Sequence, residues 1–280
     1  MKWNGIRLLG GMVEHDSLRF SSVGKKVLYL PVYYQDENET PAAYPFWLDK
    51  DGNCRFFKPD TTQSVSITRV APPDNFFLYR MINGKFEGAN KEDFSDAKVL
   101  YVVRKIDGPW FHTVDIKSSS KYRYIRYVSP PRSKCNVAEI EFYNQTGEKL
   151  QGKIIGTTSS WDNSSSTRDK VFDGDPTTVF DAANEDSWVG LALDEPQTLT
   201  KIRYLPRNDG NSIYEGHVYE LFYWEGKKWQ SLGEKTADDH ILQYDAPANA
   251  LYILKNITSN KIHRLPFIVE NGEQKWFPLK

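Results

Sequence analysis

The chain has 280 residues, with 36 basic and 37 acidic side chains and a formal net charge of −1. This balance gives no broad attraction for a phosphate backbone or an anionic lipid surface, so neither nucleic acid nor a membrane surface is expected as a partner. No stretch approaches the ~20 consecutive apolar residues of a transmembrane helix, so membrane insertion is not expected either.

Short runs of β-type residues follow one another from the first half of the chain. Residues 27–34 are β-branched and aromatic, and residues 46–48 and 54–57 flank a Gly/Asp/Asn turn, which predicts a hairpin. Residues 122–128 and 137–143 alternate polar and apolar side chains, as half-buried strands do.

The second half continues in the same style. Its apolar runs lie at 202–205, 218–224, 251–254 and 266–269, and a Glu-Asn-Gly-Glu turn predicts a last hairpin onto 275–277. No long stretch shows the 3.6-residue period of an amphipathic helix. We predict an all-β fold of two tandem jelly-roll-like β-sandwich domains, at least one of them galactose-binding-like.

A polar turn at residues 144–148 is the best candidate for the boundary between the domains, because it follows a strand and no long linker is present. At roughly 100–200 residues per domain, two domains suit the length of the chain. We therefore predict one module at 1–145 and a second at 146–280.

The sharpest motifs stand in the order Ile-Gly-Thr-Thr-Ser-Ser-Trp (155–161), Lys-Val-Phe-Asp-Gly-Asp-Pro-Thr-Thr (170–178), Trp-Val-Gly-Leu (188–191) and Ile-Arg-Tyr-Leu-Pro-Arg (202–207). This order resembles the front half of a discoidin domain, also called a coagulation factor V/VIII type C domain, of the galactose-binding-like group found in bacterial glycan-utilisation proteins. Residues 83–143 resemble the back half of the same domain, so the back half comes first in this chain. Residues 1–82 resemble an accessory β module that follows transglutaminase-like domains.

The Asp-Gly-Asp loop is the best metal candidate. Ca²⁺ prefers several oxygen ligands, which carboxylates, a threonine hydroxyl and backbone carbonyls supply. The resemblance implies a structural Ca²⁺ with Asp173, Asp175 and Thr178 as ligands, and the family's further glutamate matches Glu139. The alternative is a plain turn, in which Asp accepts backbone hydrogen bonds and Gly takes a positive φ.

Two polar loops are the candidates for a glycan contact. An aromatic ring on a loop can stack on a sugar while neighbouring polar groups bind its hydroxyls. The residues proposed for this contact are Trp161, Asp162, Asn163, Phe180, Asp181, Arg207, Asn208, Asp209 and Tyr214. In the alternative interpretation Trp161 covers the core and Arg207 pairs with Asp173 or Asp175.

Catalytic signatures are lacking in the sequence. It contains no HExxH or CxxC spacing, no phosphate-binding loop and no local motif around Cys54 that would mark a nucleophile. We therefore expect a non-catalytic carbohydrate-binding accessory region, whose partner is a glycan or glycoprotein. The alternative is a structural or protein-interaction module that positions an upstream catalytic domain of a longer parent chain and binds no sugar.

The expected location is extracytoplasmic, in the periplasm, at the surface or secreted, in a bacterium. No apolar run of signal-peptide length follows Met1, so the expectation includes a targeting segment outside this sequence.

Overall fold

A computed structural model describes residues 12–14, 17–19, 24–35, 38–73, 76–259 and 265–277. The chain forms two compact units: unit 1 consists of Met1–Pro72 together with Glu215–Lys280, and unit 2 is the continuous segment Pro73–Tyr214. Unit 2 is therefore inserted into the sequence of unit 1.

Strands β1 to β8 belong to the first segment of unit 1. They are β1 Met12–Glu14, β2 Ser17–Arg19, β3 Val27–Tyr29, β4 Val32–Gln35, β5 Asn38–Pro41, β6 Phe46–Leu48, β7 Cys54–Phe56 and β8 Thr62–Ile67.

Strands β9 to β16 belong to unit 2. They are β9 Lys85–Ala89, β10 Lys98–Val102, β11 His112–Asp115, β12 Lys121–Val128, β13 Cys135–Asn144, β14 Lys153–Gly156, β15 Phe180–Asp181 and β16 Trp188–Pro206.

Strands β17 to β22 complete unit 1. They are β17 Val218–Trp224, β18 Trp229–Thr236, β19 Leu242–Pro247, β20 Tyr252–Asn256, β21 Phe267–Glu270 and β22 Glu273–Trp276.

Helical structure in the described residues is limited to two short 3₁₀ helices in unit 2, Phe76–Met81 and Arg168–Val171. The described part of the chain offers no helix with the length and apolar character needed to cross a membrane. The predicted all-β class is confirmed.

Strand β16 organises unit 2. The strand order is β10-β9-β12-β16-β13-β15, and β14 and β11 also pair with β16. The first part of β16 pairs with β12 and β14, whereas its last part pairs with β11 and β13. Close backbone approach requires Gly190 in this strand, because a Cβ there would lie 2.1 Å from the carbonyl oxygen of Ile125.

Aromatic side chains fill the core of unit 2. The ring of Phe86 lies 5.1 Å from that of Tyr127 and 5.4 Å from that of Tyr204, measured between centroids. Phe142 contacts Phe86 edge-on at 6.2 Å. All four side chains are almost completely buried, and they come from β9, β12, β16 and β13. The two segments that resemble the back and front halves of a discoidin domain therefore share one core.

The predicted division at residues 145 and 146 is not the division that the structure shows. The turn at 144–148 is a tight local turn, in which Asn144 Oδ1 accepts hydrogen bonds from the backbone nitrogens of Thr146 and Glu148, each at 3.0 Å. Strand β13 precedes this turn and pairs with β16, which follows it. The residues that end a strand in a tight turn also occur in linkers, so composition alone could not separate the two cases.

Unit 1 is assembled from both ends of the chain. Strand β8 pairs with β19 over six residues, from Thr62 opposite Pro247 to Ile67 opposite Leu242. A buried core cluster of unit 1 is rich in tryptophan and contains Trp47, Phe57, Trp224 and Trp229. The hairpins predicted around residues 49–53 and 270–273 are present as β6–β7 and β21–β22. The resemblance of residues 1–82 to an accessory module stays a prediction.

Candidate functional site

The loop at residues 173–178, here called the acidic loop, follows the 3₁₀ helix Arg168–Val171. Gly174 has a φ of +78°, which glycine adopts without steric cost. The carboxylate of Asp175 accepts hydrogen bonds from the backbone nitrogen of Thr177 at 2.9 Å and from its hydroxyl at 2.7 Å. This turn chemistry folds the loop, and the Asp175 carbonyl accepts hydrogen bonds from Thr178.

The hydroxyl of Thr178 lies at the centre of a group of oxygens. Thr178 Oγ1 is 3.1 Å from Asp173 Oδ2 and 3.0 Å from the Asp175 carbonyl oxygen. It is also 3.4 Å from the carbonyl oxygen of Lys170. Its single proton can serve only one of these acceptors, and Lys170 Nζ and the backbone nitrogen of Thr178 donate to Asp173 Oδ2 and to the Asp175 carbonyl.

Glu139 reaches the acidic loop from β13. Its Oε1 accepts a hydrogen bond from the backbone nitrogen of Gly174 at 3.0 Å, and the residue is 2% exposed. Its other oxygen, Oε2, is buried and has no hydrogen-bond partner within the described part of the chain. The pKa of Glu139 is raised to about 9, mainly because the carboxyl is buried and secondly because Asp173 lies next to it.

These residues fit a Ca²⁺ ion. The side chains of Glu139, Asp173 and Thr178 and the carbonyls of Lys170 and Asp175 provide oxygen donors of the kinds that Ca²⁺ uses. A cation would suit the buried Oε2 of Glu139, which lacks a hydrogen-bond donor within the described part of the chain and lies close to the Asp173 side chain. The described residues contain no cluster of three or more His, Cys, Asp or Glu side chains that could hold a metal ion.

Asp175 and Lys170 take positions that the sequence did not indicate. The Asp175 carboxylate bonds within its own turn, so its carbonyl rather than its side chain faces the other oxygens. Lys170 Nζ lies 3.2 Å from Asp173 Oδ2 and partly neutralises that carboxylate.

Residues 160–166, here called the aromatic loop, hold Trp161 at the surface. The side chain of Trp161 is 68% exposed. The carboxylate of Asp162 accepts hydrogen bonds from the backbone nitrogens of Ser164 at 3.2 Å, Ser165 at 3.1 Å and Ser166 at 3.0 Å. A hydrogen bond from the Ser165 hydroxyl, together with these backbone hydrogen bonds, holds the pKa of Asp162 below its usual value. Asn163 takes a φ of +57°, in the left-handed region that asparagine tolerates.

Arg207 is braced next to the aromatic loop. Its guanidinium forms ion pairs with Asp181 and Asp209, each at 2.8 Å, and lies 3.9 Å above the ring of Phe77. The carbonyl of Asp181 accepts the backbone N–H of Trp161 at 2.7 Å. Asp181 therefore connects Trp161 with Arg207. Arg207 therefore pairs with Asp181 and Asp209. The alternative interpretation of the sequence had predicted a pairing with Asp173 or Asp175.

Three of the proposed contact residues lie inside the unit. Phe180, Asn208 and Tyr214 are at most 4% exposed. The hydroxyl of Tyr214 donates to Asn208 Oδ1 at 2.6 Å, and Asn208 Nδ2 donates to the carbonyl of Pro109 at 3.2 Å. These side chains support the loops and do not reach the surface.

Lys134 is a neighbour of Trp161 that sequence reasoning missed. Its Nζ lies 5.4 Å from the centre of the Trp161 ring, at a distance typical of a cation–π contact. The two residues are far apart in sequence, and the only signal was a basic turn immediately before a strand. Trp161, Lys134 and Arg207 therefore border one surface of unit 2, and the buried Asp181 supports it by contacting both Trp161 and Arg207.

Comparison with known proteins identifies one family. Residues 155–270 match the family model of the F5/8 type C domain. The match begins in β14 of unit 2 and ends in β21 of unit 1. No curated protein and no solved structure matches the chain significantly. The predicted resemblance to the discoidin family is confirmed for this segment.

Proposed function

We propose that this chain, which carries a discoidin-like module, is a non-catalytic carbohydrate-binding region that contacts sugar through Trp161. F5/8 type C domains often bind carbohydrate and are generally non-catalytic. The observation that carries the proposal is the 68% exposure of Trp161 on a loop whose backbone is held by hydrogen bonds to the Asp162 carboxylate. A ring held in this way loses little freedom on binding, which favours stacking on a sugar face.

The polar partners of the sugar follow from the same surface. Arg207 and Asp209 lie at its rim, and Lys134 lies against the ring of Trp161. Asp181, which is 8% exposed, fixes the guanidinium of Arg207 instead of contacting a ligand directly. We expect modest affinity for a single site, because one aromatic ring and a few polar groups offset only part of the entropy cost of association.

In this proposal a Ca²⁺ ion has a structural role in unit 2. Glu139, Asp173 and Thr178 would hold the ion with their side chains, and Lys170 and Asp175 with their carbonyls. When bound, the ion supplies positive charge to the two buried or half-buried carboxylates and joins β13 to the acidic loop. Thr178 and Gly174 position the oxygens, and the Asp175 carboxylate keeps the turn closed.

The biological setting is proposed on the family alone. Discoidin-like domains are typically extracellular. This supports a secreted, periplasmic or surface protein of a bacterium, with a glycan or glycoprotein as partner. An upstream catalytic domain in a longer parent chain belongs to the same proposal.

A protein-interaction module is the second candidate. The buried state of Phe180, Asn208 and Tyr214 favours it, because three of the expected sugar contacts serve the fold instead. An exposed tryptophan with a neighbouring arginine also suits the centre of a protein interface. In that case the chain would position a catalytic domain and bind no sugar.

A glycan array with and without Ca²⁺ tests the proposal, with Trp161→Ala as the variant and Phe56→Ala as the matched control. Phe56 is another exposed aromatic residue, at 50%, and belongs to unit 1. We expect binding to one glycan class, reduced at least tenfold by Trp161→Ala and unchanged by Phe56→Ala. Binding that survives Trp161→Ala would place the sugar elsewhere, and no binding by folded protein would favour the interaction module.

A further inference from the structure

A shallow cleft of about 380 Å³ lies beside the aromatic loop in unit 2. One wall is the last turn of the 3₁₀ helix Phe76–Met81, and the other is the segment 130–134 that leads into β13. Its lining includes Tyr79, Arg80, Ile82, Arg132, Lys134 and Glu185. This volume is at the lower end of the ~300–1,000 Å³ typical of small-molecule sites, so a sugar-sized ligand suits it.

The cleft is basic although the chain is nearly neutral. Arg80, Arg132 and Lys134 line it together with a single carboxylate, that of Glu185. The guanidinium of Arg80 lies 4.7 Å above the ring of Phe77, which orients it. Two guanidinium groups and an ammonium group favour a ligand with a carboxylate or sulfate, since the planar arginine fork binds such groups with two hydrogen bonds.

The backbone of the basic segment is held in an unusual conformation. Arg132 has a φ of +62°, which few residues other than glycine adopt, and its backbone nitrogen donates to Asp186 Oδ1 at 2.9 Å. The carbonyl of Ser133 accepts the Ser129 hydroxyl at 3.1 Å, and the carbonyl of Lys134 accepts the backbone N–H of Ala182 at 2.9 Å. The cations are therefore presented on a braced segment, and a ligand does not have to order it.

Two exposed rings border the same cleft. Tyr79 is 53% exposed and lines it, and the Trp161 ring lies next to Lys134. Lys134 thus belongs both to the cleft and to the surface of the aromatic loop. One ligand can contact Trp161 with a sugar face and the cleft with an anionic substituent.

We infer that the chain selects glycans that carry an anionic group, a carboxylate or a sulfate ester, which Arg80, Arg132 and Lys134 bind. The inference rests on the proposed carbohydrate-binding function and names its ligand class. The anion enters the basic cleft, while Trp161 holds the neighbouring sugar ring.

Titration calorimetry with three probes tests the inference: galacto-oligosaccharides, oligogalacturonates and sulfated galacto-oligosaccharides. The test variant combines Arg80→Gln, Arg132→Asn and Lys134→Gln, where asparagine is chosen because it tolerates the left-handed backbone at 132. The matched control combines Lys98→Gln, Lys121→Gln and Lys153→Gln, which removes three exposed cations from β10, β12 and β14. Circular dichroism and thermal melting confirm that each variant is folded.

We expect at least tenfold tighter binding of one anionic probe than of the neutral probe at low salt. This ratio should fall close to one in the test variant and stay unchanged in the control. The preferred probe distinguishes a carboxylate from a sulfate.

Equal affinity of the wild type for all three probes, with loss in Trp161→Ala, would overturn the inference and leave the proposed function intact. No binding of any probe would overturn the inference, and only a negative glycan array would overturn the proposed function as well. An equal loss in the control variant would show diffuse charge attraction and overturn the cleft. Anionic binding that disappears in the test variant but survives Trp161→Ala would support the cleft and overturn Trp161 as the sugar contact.

Discussion

The acidic loop and the aromatic loop use the same turn chemistry for opposite purposes. In both, an aspartate carboxylate accepts hydrogen bonds from residues that follow it, Asp175 from Thr177 and Asp162 from Ser164 to Ser166. The acidic loop contacts the buried Glu139 through the backbone nitrogen of Gly174, whereas the aromatic loop leaves the ring of Trp161 exposed. A similar local motif thus prepares a cation site in one loop and a contact surface in the other.

The difference lies in what the fold brings to each loop. Glu139 comes from β13 and adds an unpaired oxygen to the acidic loop. The aromatic loop receives Asp181 and Lys134, which fix its backbone and contact its ring. We therefore expect that negative charge is essential in the acidic loop, whereas the shape of the side chain is sufficient in the aromatic loop.

Calcium should produce the largest effect, confined to the acidic loop. At a concentration a hundred times its dissociation constant, Ca²⁺ would stabilise unit 2 by about 2.7 kcal/mol. For a domain of this size that corresponds to a rise in Tm of roughly 5–10 °C, measurable by differential scanning calorimetry. Asp173→Asn should abolish the shift, because it removes a ligand charge.

Asp175→Asn is the control for this prediction. Its side chain bonds within the turn and its carbonyl is unchanged, so the shift in Tm should persist. Loss of the shift in both variants would contradict the assignment of the carbonyl. Absence of any shift in the wild type would contradict the calcium site itself.

Substitutions at Asp162 should produce the intermediate effect. Asp162→Ala removes the acceptor for three backbone N–H groups, so Trp161 loses its fixed position and glycan affinity should fall about tenfold, or ~1.4 kcal/mol. Asp162→Asn keeps an acceptor oxygen of the same shape and should bind within threefold of the wild type. Titration calorimetry with the glycan found on the array measures both.

An effect of Asp162→Asn as large as that of Asp162→Ala would show that the aromatic loop also depends on charge. The contrast with the acidic loop would then fail. Ca²⁺ melting curves of both variants serve as the control, since neither change touches the acidic loop.

Acid should have the smallest effect on the aromatic loop. Hydrogen bonds from Ser165 and its neighbours hold the folded-state pKa of Asp162 below its ordinary value of 3.8. The stabilisation from this depressed pKa is present above the ordinary value and is lost only as the pH falls through the lower folded value. Glycan binding, followed by titration calorimetry, should therefore stay constant from pH 7 to about 4.5.

A carboxyl titration followed by NMR checks the same point directly. The Asp162 signal should titrate below the range of an ordinary aspartate. A midpoint at or above 3.8 would contradict the hydrogen-bonded loop.

Local structure could be predicted from the sequence because it depends on neighbouring residues. The alternation at 122–128 and 137–143 identified β12 and β13, and the turn residues at 49–53 and 270–273 identified two hairpins. The aspartate and glycine of the acidic loop also indicated a turn, and the resemblance connected Glu139 with it before the structure placed them in contact.

Long-range structure could not be predicted in the same way. Nothing in residues 62–67 indicates that their partner is 242–247, and the turn at 144–148 has the composition of a linker. The burial of Phe180, Asn208 and Tyr214 could not be predicted either, because a residue in a polar loop can equally face water or bond inside the fold. These features arise from pairing and packing between distant segments, which a single sequence does not display.

The insertion of unit 2 into unit 1 has a consequence for the order of assembly on the ribosome. Strand β8 is complete once residue 67 is made, but its partner β19 begins only at residue 242. At a synthesis rate of about 5–20 residues per second, the first segment waits on the order of 10–40 s with its sheet edge exposed. Unit 2 is continuous, so it can fold during this interval, before unit 1 has all of its strands.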